Sequence, residues 1–284
     1  MKIAIASGKG GTGKTTIALA LAQAAIGKTA LLDCDVEAPN CHLFSCSDGV
    51  CEPVTVPMPV FDKKLCTGCG ECAAFCQFNA VAVVGKNILL FPELCHGCGG
   101  CVKVCPTGAL TESSREIGET KVAMCSYFVL IDGHLNIGQA MSPPVIRAVK
   151  ERGAKNVPDL AVIDCPPGTS CPMVTAVRGA DFVLLVTEPT PFGLNDLILA
   201  VETLKKLELP FGVIINRADS GDDKVKEYCR DEKIPVMMEI ANRRDIAEAY
   251  SRGETLLTAA PELRGQLIML LEKMEELIRV RTAK

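Results

Sequence analysis

Eight of the chain's 16 cysteines fall between Cys66 and Cys105, in two runs of identical spacing. The first is Cys66-Thr-Gly-Cys69-Gly-Glu-Cys72-Ala-Ala-Phe-Cys76; the second is Cys95-His-Gly-Cys98-Gly-Gly-Cys101-Val-Lys-Val-Cys105-Pro106. Each reads C-x2-C-x2-C-x3-C. Three thiolates two residues apart can wrap one face of an iron–sulfur cubane, and the glycines between them let backbone N–H groups point at sulfur. The fourth cysteine lies too far along to close the same site and crosses to the other cluster. The expected ligand sets are therefore Cys66, Cys69, Cys72 and Cys105 for one [4Fe–4S] cluster, and Cys95, Cys98, Cys101 and Cys76 for the other. Structural zinc is the competing use of C-x2-C pairs, but the duplicated pattern favours the clusters. Disulfides fit less well, because the opening Met-Lys-Ile-Ala-Ile-Ala-Ser leads directly into a glycine loop and is not expected to be an export signal.

A second chemical motif starts the chain. Residues 2–7 are short, apolar and β-favouring, and a helical pattern begins at Thr15. Between them Gly8-Lys9-Gly10-Gly11-Thr12-Gly13-Lys14-Thr15 gives G-x4-G-K-[ST] in the strand–loop–helix context that a phosphate-binding loop requires. Gly8, Gly10, Gly11, Thr12, Gly13 and Thr16 are expected to bring backbone N–H groups onto phosphate oxygens at a helix N-terminus. Lys14 is expected to reach the β- and γ-phosphates and the Thr15 hydroxyl to ligate Mg²⁺, with ATP as the nucleotide.

These residues carry two resemblances. The cysteine runs are similar to the bacterial-type two-cluster ferredoxins, with Gln77 standing where the first run would carry proline. The loop Lys9-Gly-Gly-Thr-Gly-Lys14-Thr15 resembles the deviant Walker A loop of the MinD, Mrp, ParA and nitrogenase iron-protein superfamily of P-loop ATPases. That resemblance implies that Lys9 crosses a dimer interface to the partner's phosphates; the plainer reading is a solvated loop lysine. It also implies that Asp35, in Asp35-Val-Glu-Ala-Pro-Asn40, positions the attacking water. Asp164, in Leu160-Ala-Val-Ile-Asp164-Cys-Pro-Pro-Gly168, would hold Mg²⁺ through water, and Asn216 at the end of Phe211-Gly-Val-Ile-Ile-Asn216 would read adenine. Over its whole length the sequence looks like a MinD-superfamily ATPase with an inserted ferredoxin domain, akin to Mrp-type iron–sulfur carriers. In the nitrogenase iron protein a cluster-ligating cysteine lies at a similar distance after the switch II aspartate. Cys171 is therefore a speculative interface metal ligand, against its reading as a small buried residue.

The elements that must position these groups follow a regular pattern. Six β-favouring runs, at 2–7, 29–35, 160–165, 182–188, 211–217 and 235–240, alternate with helical segments at 15–25, 143–152, 193–207 and 261–279. Strands alternating with helices imply an α/β fold with a doubly wound, mainly parallel sheet, whose ligands bind at the carboxyl ends of the strands. Ser142 before Pro143 reads as a helix N-cap. The ferredoxin-like α+β unit interrupts the sheet after its second strand. The expected division is 1–58 and 113–284 for the ATPase and 59–112 for the insert, with prolines 53, 57 and 59 marking one edge and polar residues 111–119 the other. Residues 121–138 are expected to form extra strands or a hairpin joining the insert to the sheet. The apolar stripe Leu263, Leu267, Leu270, Leu271, Met274, Leu277 and Ile278 predicts a terminal helix packed on the core.

Composition narrows the function. A net charge of −4 argues against nucleic-acid binding through a basic surface. No run is apolar enough to span a membrane, so the chain is expected in the cytoplasm. Cys34, Cys41, Cys46, Cys51, Cys125 and Cys229 read as packing or incidental, and His42, His96 and His134 show no metal spacing. Two functions stay open. One is an ATPase whose dimer switch serves assembly or delivery of an iron–sulfur or related metallocofactor. The other is ATP-gated electron transfer to a partner. The expected partners are a second copy or a paralogous ATPase, and a carrier or redox protein. Spatial positioning on membrane or nucleoid fits poorly, since it requires no clusters.

Overall fold

The computed structural model describes residues 1–44, 48–156 and 158–282. Strand β1 (Lys2–Ala6) enters α1 (Lys14–Ala24) through the glycine loop, and β2 (Thr29–Asp33) follows. A short 3-10 turn (Cys41–Leu43) precedes β3 (Val50–Phe61), which leads into α2 (Glu71–Phe75), β4 (Val81–Val84), β5 (Asn87–Leu90) and α3 (Gly100–Lys103). Strands β6 (Leu110–Met124) and β7 (Val129–Leu135) return the chain to the main sheet, followed by α4 (Pro143–Lys155), β8 (Leu160–Asp164) and α5 (Cys171–Val177). The last part runs β9 (Phe182–Thr187), α6 (Pro191–Lys206), β10 (Phe211–Asn216), α7 (Lys224–Asp231), β11 (Val236–Ile240), α8 (Arg244–Ser251), α9 (Leu256–Ala259) and α10 (Arg264–Thr282).

The main sheet has nine strands in the order β11-β10-β9-β1-β8-β2-β7-β6-β3. It is parallel from β11 to β7, and β6 and β3 add an antiparallel edge. The inner parallel strands read as continuous apolar runs because both faces are covered. Along β1, Ile3 and Ile5 pack with α1, α9 and α10, whereas Ala4 and Ala6 pack with α4, α5 and α6. All six expected strands and the terminal helix are present. Leu267 and Met274 of α10 are fully buried, and Arg264 donates to the carbonyl of Gln23 at 2.9 Å, which fixes α10 against α1. Leu277 departs from the expected stripe and is 38% exposed.

Two local expectations are corrected. Ser142 does not cap α4 with its side chain: its backbone is already helical (φ −77°, ψ −28°), and the next two residues are prolines with no N–H to receive. Prolines 53, 57 and 59 do not end a segment but lie inside β3, the outermost strand, where an unpaired N–H side tolerates proline. The polar residues 111–119 likewise lie within β6, paired to β3 from Val50↔Val122 to Phe61↔Leu110. The expected boundaries at 58/59 and 112/113 thus fall within one two-stranded ribbon. β6 then forms a hairpin with β7, as expected for residues 121–138.

Arg152 of α4 fastens this ribbon to the body of the sheet. Its guanidinium donates to the Thr120 carbonyl (2.6 Å) and hydroxyl (2.9 Å), the Val50 carbonyl (3.2 Å) and the Glu52 carboxylate (2.8 Å). Arg152→Ala removes all four of these hydrogen bonds, two of them to the buried Thr120. A loss of about 3 kcal/mol in unfolding free energy is expected, read from the urea midpoint.

Candidate functional site

The carboxyl ends of β1, β2, β8, β10 and β11 converge on a cavity of about 330 Å³. Gly10, Gly11, Gly13, Lys14, Thr15, Thr16, Asp35 and Asn216, all expected at the site, line it. Gly13 has φ +94°, a left-handed backbone, and a Cβ there would sit 2.5 Å from the Asn216 amide nitrogen. Gly8 and Thr12 stand behind the loop instead. A Cβ on Gly8 would meet the main chain of Asp196 on α6, and the Thr12 side chain is buried. The Thr12 carbonyl accepts from Asn216 Nδ2 at 2.9 Å, so Asn216 braces the loop as well as lining the cavity. Lys14 is buried, its ammonium 3.5 Å from the Lys9 carbonyl. Lys9 itself forms an ion pair with Glu188 of the same chain at 3.4 Å, and Glu188 also holds Arg217 at 2.7 Å.

The acidic residues form a compact layer beneath the loop. The Thr15 hydroxyl donates to Asp164 Oδ2 at 2.6 Å. Asp164 is fully buried, and its Oδ1 has no hydrogen-bond partner. An orphaned carboxylate oxygen beside a threonine hydroxyl fits a hard divalent cation, so Thr15 and Asp164 suit the Mg²⁺ role expected of them. Burial pushes Asp164 up to about 8, helped by the nearby charge of Asp33. Asp35 is pushed up to about 6, first by burial and then by Asp33, with Lys14 opposing.

Asp33, at the carboxyl end of β2, has a definite task. It accepts from the backbone N–H groups of Asp35 (3.1 Å), Asn40 (3.1 Å) and Cys41 (3.0 Å), shaping the loop after β2. Asn40 and Pro167, from the two acidic motifs already singled out, line the cavity, but sequence reasoning missed the rest of its far wall: the residues 241–243 after β11, and Ile246, Ala247 and Tyr250 of α8. Their one sequence signal was position, directly after the carboxyl end of a parallel strand.

The Asp164 proton gives a signed expectation. Mg²⁺ must displace that proton, so its apparent affinity rises with pH up to about 8, by as much as roughly tenfold per unit. The ligand-free chain behaves oppositely. Its folded form favours neutral Asp164, so stability falls as pH rises from the unfolded value near ~4 through 8. Calorimetry in buffers of different ionisation enthalpy reads the released proton directly.

The cysteine runs fold as two matching loops on the ribbon. Gly68, Gly70 and Asn79 of the first run and Gly97, Gly99 and Gly108 of the second all have positive φ, and each pair is separated by the same repeat of 29 residues. Gly70 and Gly99 begin α2 and α3, which carry Cys72 and Cys101 inward into a small core with Val81, Ile88 and Leu110. Cys66, Cys69, Cys72 and Cys105 line one small cavity together. Cys95 and Cys98 lie close enough to Cys101 to raise its pKa, behind the larger effect of burial. Cys76 borders the shared core, and Cys95 lines a cavity with Val56 and Arg115 of the sheet and Gln139 of the loop after β7. His96 stacks on Phe78 at 3.7 Å, joining the two runs.

Cys125 is disulfide-bonded, which corrects its reading as packing or incidental; the other remaining cysteines separate by burial. Cys34, Cys41, Cys165 and Cys229 are buried, which fits packing, while Cys51 is exposed. Cys171 is exposed at the start of α5, contrary to its reading as a small buried residue. Cys46 lies outside the described residues. Among the described residues, no helix is long and apolar enough to cross a membrane.

Comparison with known proteins agrees with the loop geometry. An uncharacterized protein of Methanocaldococcus jannaschii is 36% identical over 233 residues, covering 76% of this chain and 78% of its own length. A second uncharacterized protein of the same organism is 31% identical over 261 residues, covering 90% and 91%. The septum site-determining protein MinD of Pyrococcus horikoshii, solved with Mg-ADP, shares the fold. Its TM-score is 0.55 at 21% identity, over 97% of this chain and 96% of that one. Residues 3–256 match the CobQ/CobB/MinD/ParA nucleotide binding domain. The chain belongs to this MinD/ParA-type family of P-loop ATPases.

Proposed function

We propose that the chain is a Mg²⁺-dependent ATPase whose nucleotide-driven dimer switch is coupled to a two-cluster, ferredoxin-like insert, residues 59–112. The coupling serves assembly or delivery of an iron–sulfur or related metallocofactor in the cytoplasm. The observation that carries the second half is the cavity shared by Cys66, Cys69, Cys72 and Cys105, which come from both ends of the insert. The matching left-handed positions in the two runs support it as well. Iron–sulfur sites of this type supply one-electron chemistry when occupied.

Within the nucleotide site, Lys14 holds the β- and γ-phosphates at the N-terminus of α1. Thr15 and Asp164 hold Mg²⁺, which neutralises phosphate charge when bound. Asp35 orients the attacking water, and Asn216 lies beside the adenine. Lys9 exchanges Glu188 for a partner's phosphates when two chains meet, making the loop a deviant Walker A motif. The second chain is another copy or a paralogue; two relatives within one archaeon are consistent with a paralogous pair.

Cys69 and Cys98 are both exposed, which puts each cluster site near the surface. That favours a second reading, ATP-gated electron transfer to a redox partner. Anaerobic reconstitution followed by iron and sulfide analysis, with sizing in ATP and in ADP, tests the proposal. It requires about eight iron atoms per chain and a dimer populated in ATP. Zinc in place of iron, or one oligomeric state throughout, refutes it.

A further inference from the structure

A second group of ligating side chains lies outside the nucleotide cavity and the cysteine runs. Sequence spacing gave His42 and His134 no metal role, yet the fold brings them together with Asp132. One ligand atom from each of the three lies within 4.8 Å of the others, and the imidazole centroids are 5.8 Å apart. His134 Nε2 is 2.6 Å from Asp132 Oδ2.

The geometry follows from strand alternation. Asp132 and His134 flank Gly133 on β7 and so share one face of the sheet. Gly133 faces the other way, where a Cβ would meet Val149 of α4 at 2.6 Å. On the shared face the 3-10 turn at 41–43 covers β7 and presents His42. Asp132 is 1% exposed, and its second oxygen, Oδ1, is buried without a hydrogen-bond partner. A buried, half-satisfied carboxylate is costly unless something supplies the missing interaction. Glu119, the cross-strand partner of His134, adds negative charge nearby.

We infer that His42, Asp132 and His134 form a binding site for one divalent transition ion. Two imidazoles and one carboxylate suit an ion of borderline softness, Zn²⁺ or Fe²⁺, rather than Mg²⁺ or Ca²⁺. The site joins β7 to the turn that follows the Asp33-shaped loop. The backbone N–H of Leu135 already donates to the Val36 carbonyl of that loop at 2.8 Å. A bound ion therefore clamps residues 36–43 between the nucleotide cavity and the ribbon that carries the cysteine runs.

Co²⁺ is the probe, measured anaerobically by equilibrium dialysis and absorption on full-length wild-type chain and on His42→Ala. His42 is exposed, so this variant leaves the core untouched. Subtracting one protein from the other removes whatever the cysteines bind. The wild-type chain should hold one more Co²⁺, with d–d bands and no thiolate charge-transfer band in the difference spectrum. His42→Ala should weaken that site at least roughly tenfold. Zn²⁺ should also slow amide exchange across residues 36–43 in the wild type and not in the variant. Equal Co²⁺ binding in the two proteins, or a difference spectrum dominated by thiolate, overturns the site. Unchanged exchange with Zn²⁺ bound overturns the clamp.

Discussion

Lys14→Ala lowers ATP turnover by roughly 100- to 1,000-fold, the usual cost of removing one preorganised charge from a transition state. Lys14 is buried at the first position of α1, above a loop whose glycines leave space for phosphate. Among the described residues its ammonium makes one long hydrogen bond, to the Lys9 carbonyl at 3.5 Å, and its charge acts on Asp35 and Asp164 nearby. Steady-state phosphate release checks the rate. Lys9→Ala should separate from it: if Lys9 acts across a dimer, its loss abolishes ATP-dependent dimerisation while leaving monomer nucleotide affinity nearly unchanged. A Lys14→Ala chain with wild-type turnover would mean that the cavity is not the hydrolytic site.

The second large effect concerns the cysteines. On the proposed ligation, Cys105→Ser is expected to remove about four of about eight iron atoms, with the loss falling on the cluster assigned to Cys66, Cys69 and Cys72. Cys105 belongs by sequence to the second run but lines the cavity of the first. Hydrogen bonding to Leu110, Thr107 and Ala109 outweighs burial and lowers its pKa, which favours the thiolate a metal needs. Cys76→Ser should have the complementary effect, sparing that cluster and losing the other. Iron analysis with EPR of the reduced proteins distinguishes the two. Loss of the cluster in sequence order, with Cys105→Ser damaging Cys95, Cys98 and Cys101, would refute the crossed ligation.

What was legible in the sequence follows from how each element is buried. The inner parallel strands are covered on both faces, so Lys2–Ala6, Leu160–Asp164 and Phe182–Thr187 appear as uninterrupted apolar runs. The edge ribbon is different. β3 contains three prolines and β6 exposes most of Thr111–Glu116, so neither shows the pattern of a strand. Helices α7 and α8 are short and mostly polar, with Val225, Cys229 and Ala249 their only fully buried residues among those described. Local motifs carried the P-loop and both cysteine runs because their spacing is the chemistry. Asp33 and the group His42, Asp132 and His134 were invisible for the converse reason. The three ligating side chains meet only because β2 and β7 are neighbours, in register from Ala30↔Val129 to Asp33↔Asp132, which lays the turn after β2 over β7; Asp33 acts on backbone groups of its own loop, where no side-chain spacing marks the role.

The same adjacency gives the proposed coupling of nucleotide and clusters a physical route. The loop shaped by Asp33 contributes Asp35 and Asn40 to the cavity, and its Val36 carbonyl accepts from Leu135 of β7, the strand paired to the ribbon that bears both cysteine runs. Cys95 in turn lines a cavity with Val56 and Arg115 of that ribbon. A change of loop position on nucleotide binding therefore has a short physical route to the second run.

An anaerobic titration of the cluster reduction potentials, with and without Mg·ATP, tests this coupling most directly. The expected result is a shift of about 60 mV or more in at least one cluster, equivalent to about 1.4 kcal/mol for one electron. Potentials that coincide in the two titrations, at nucleotide concentrations shown to saturate the site, would contradict it.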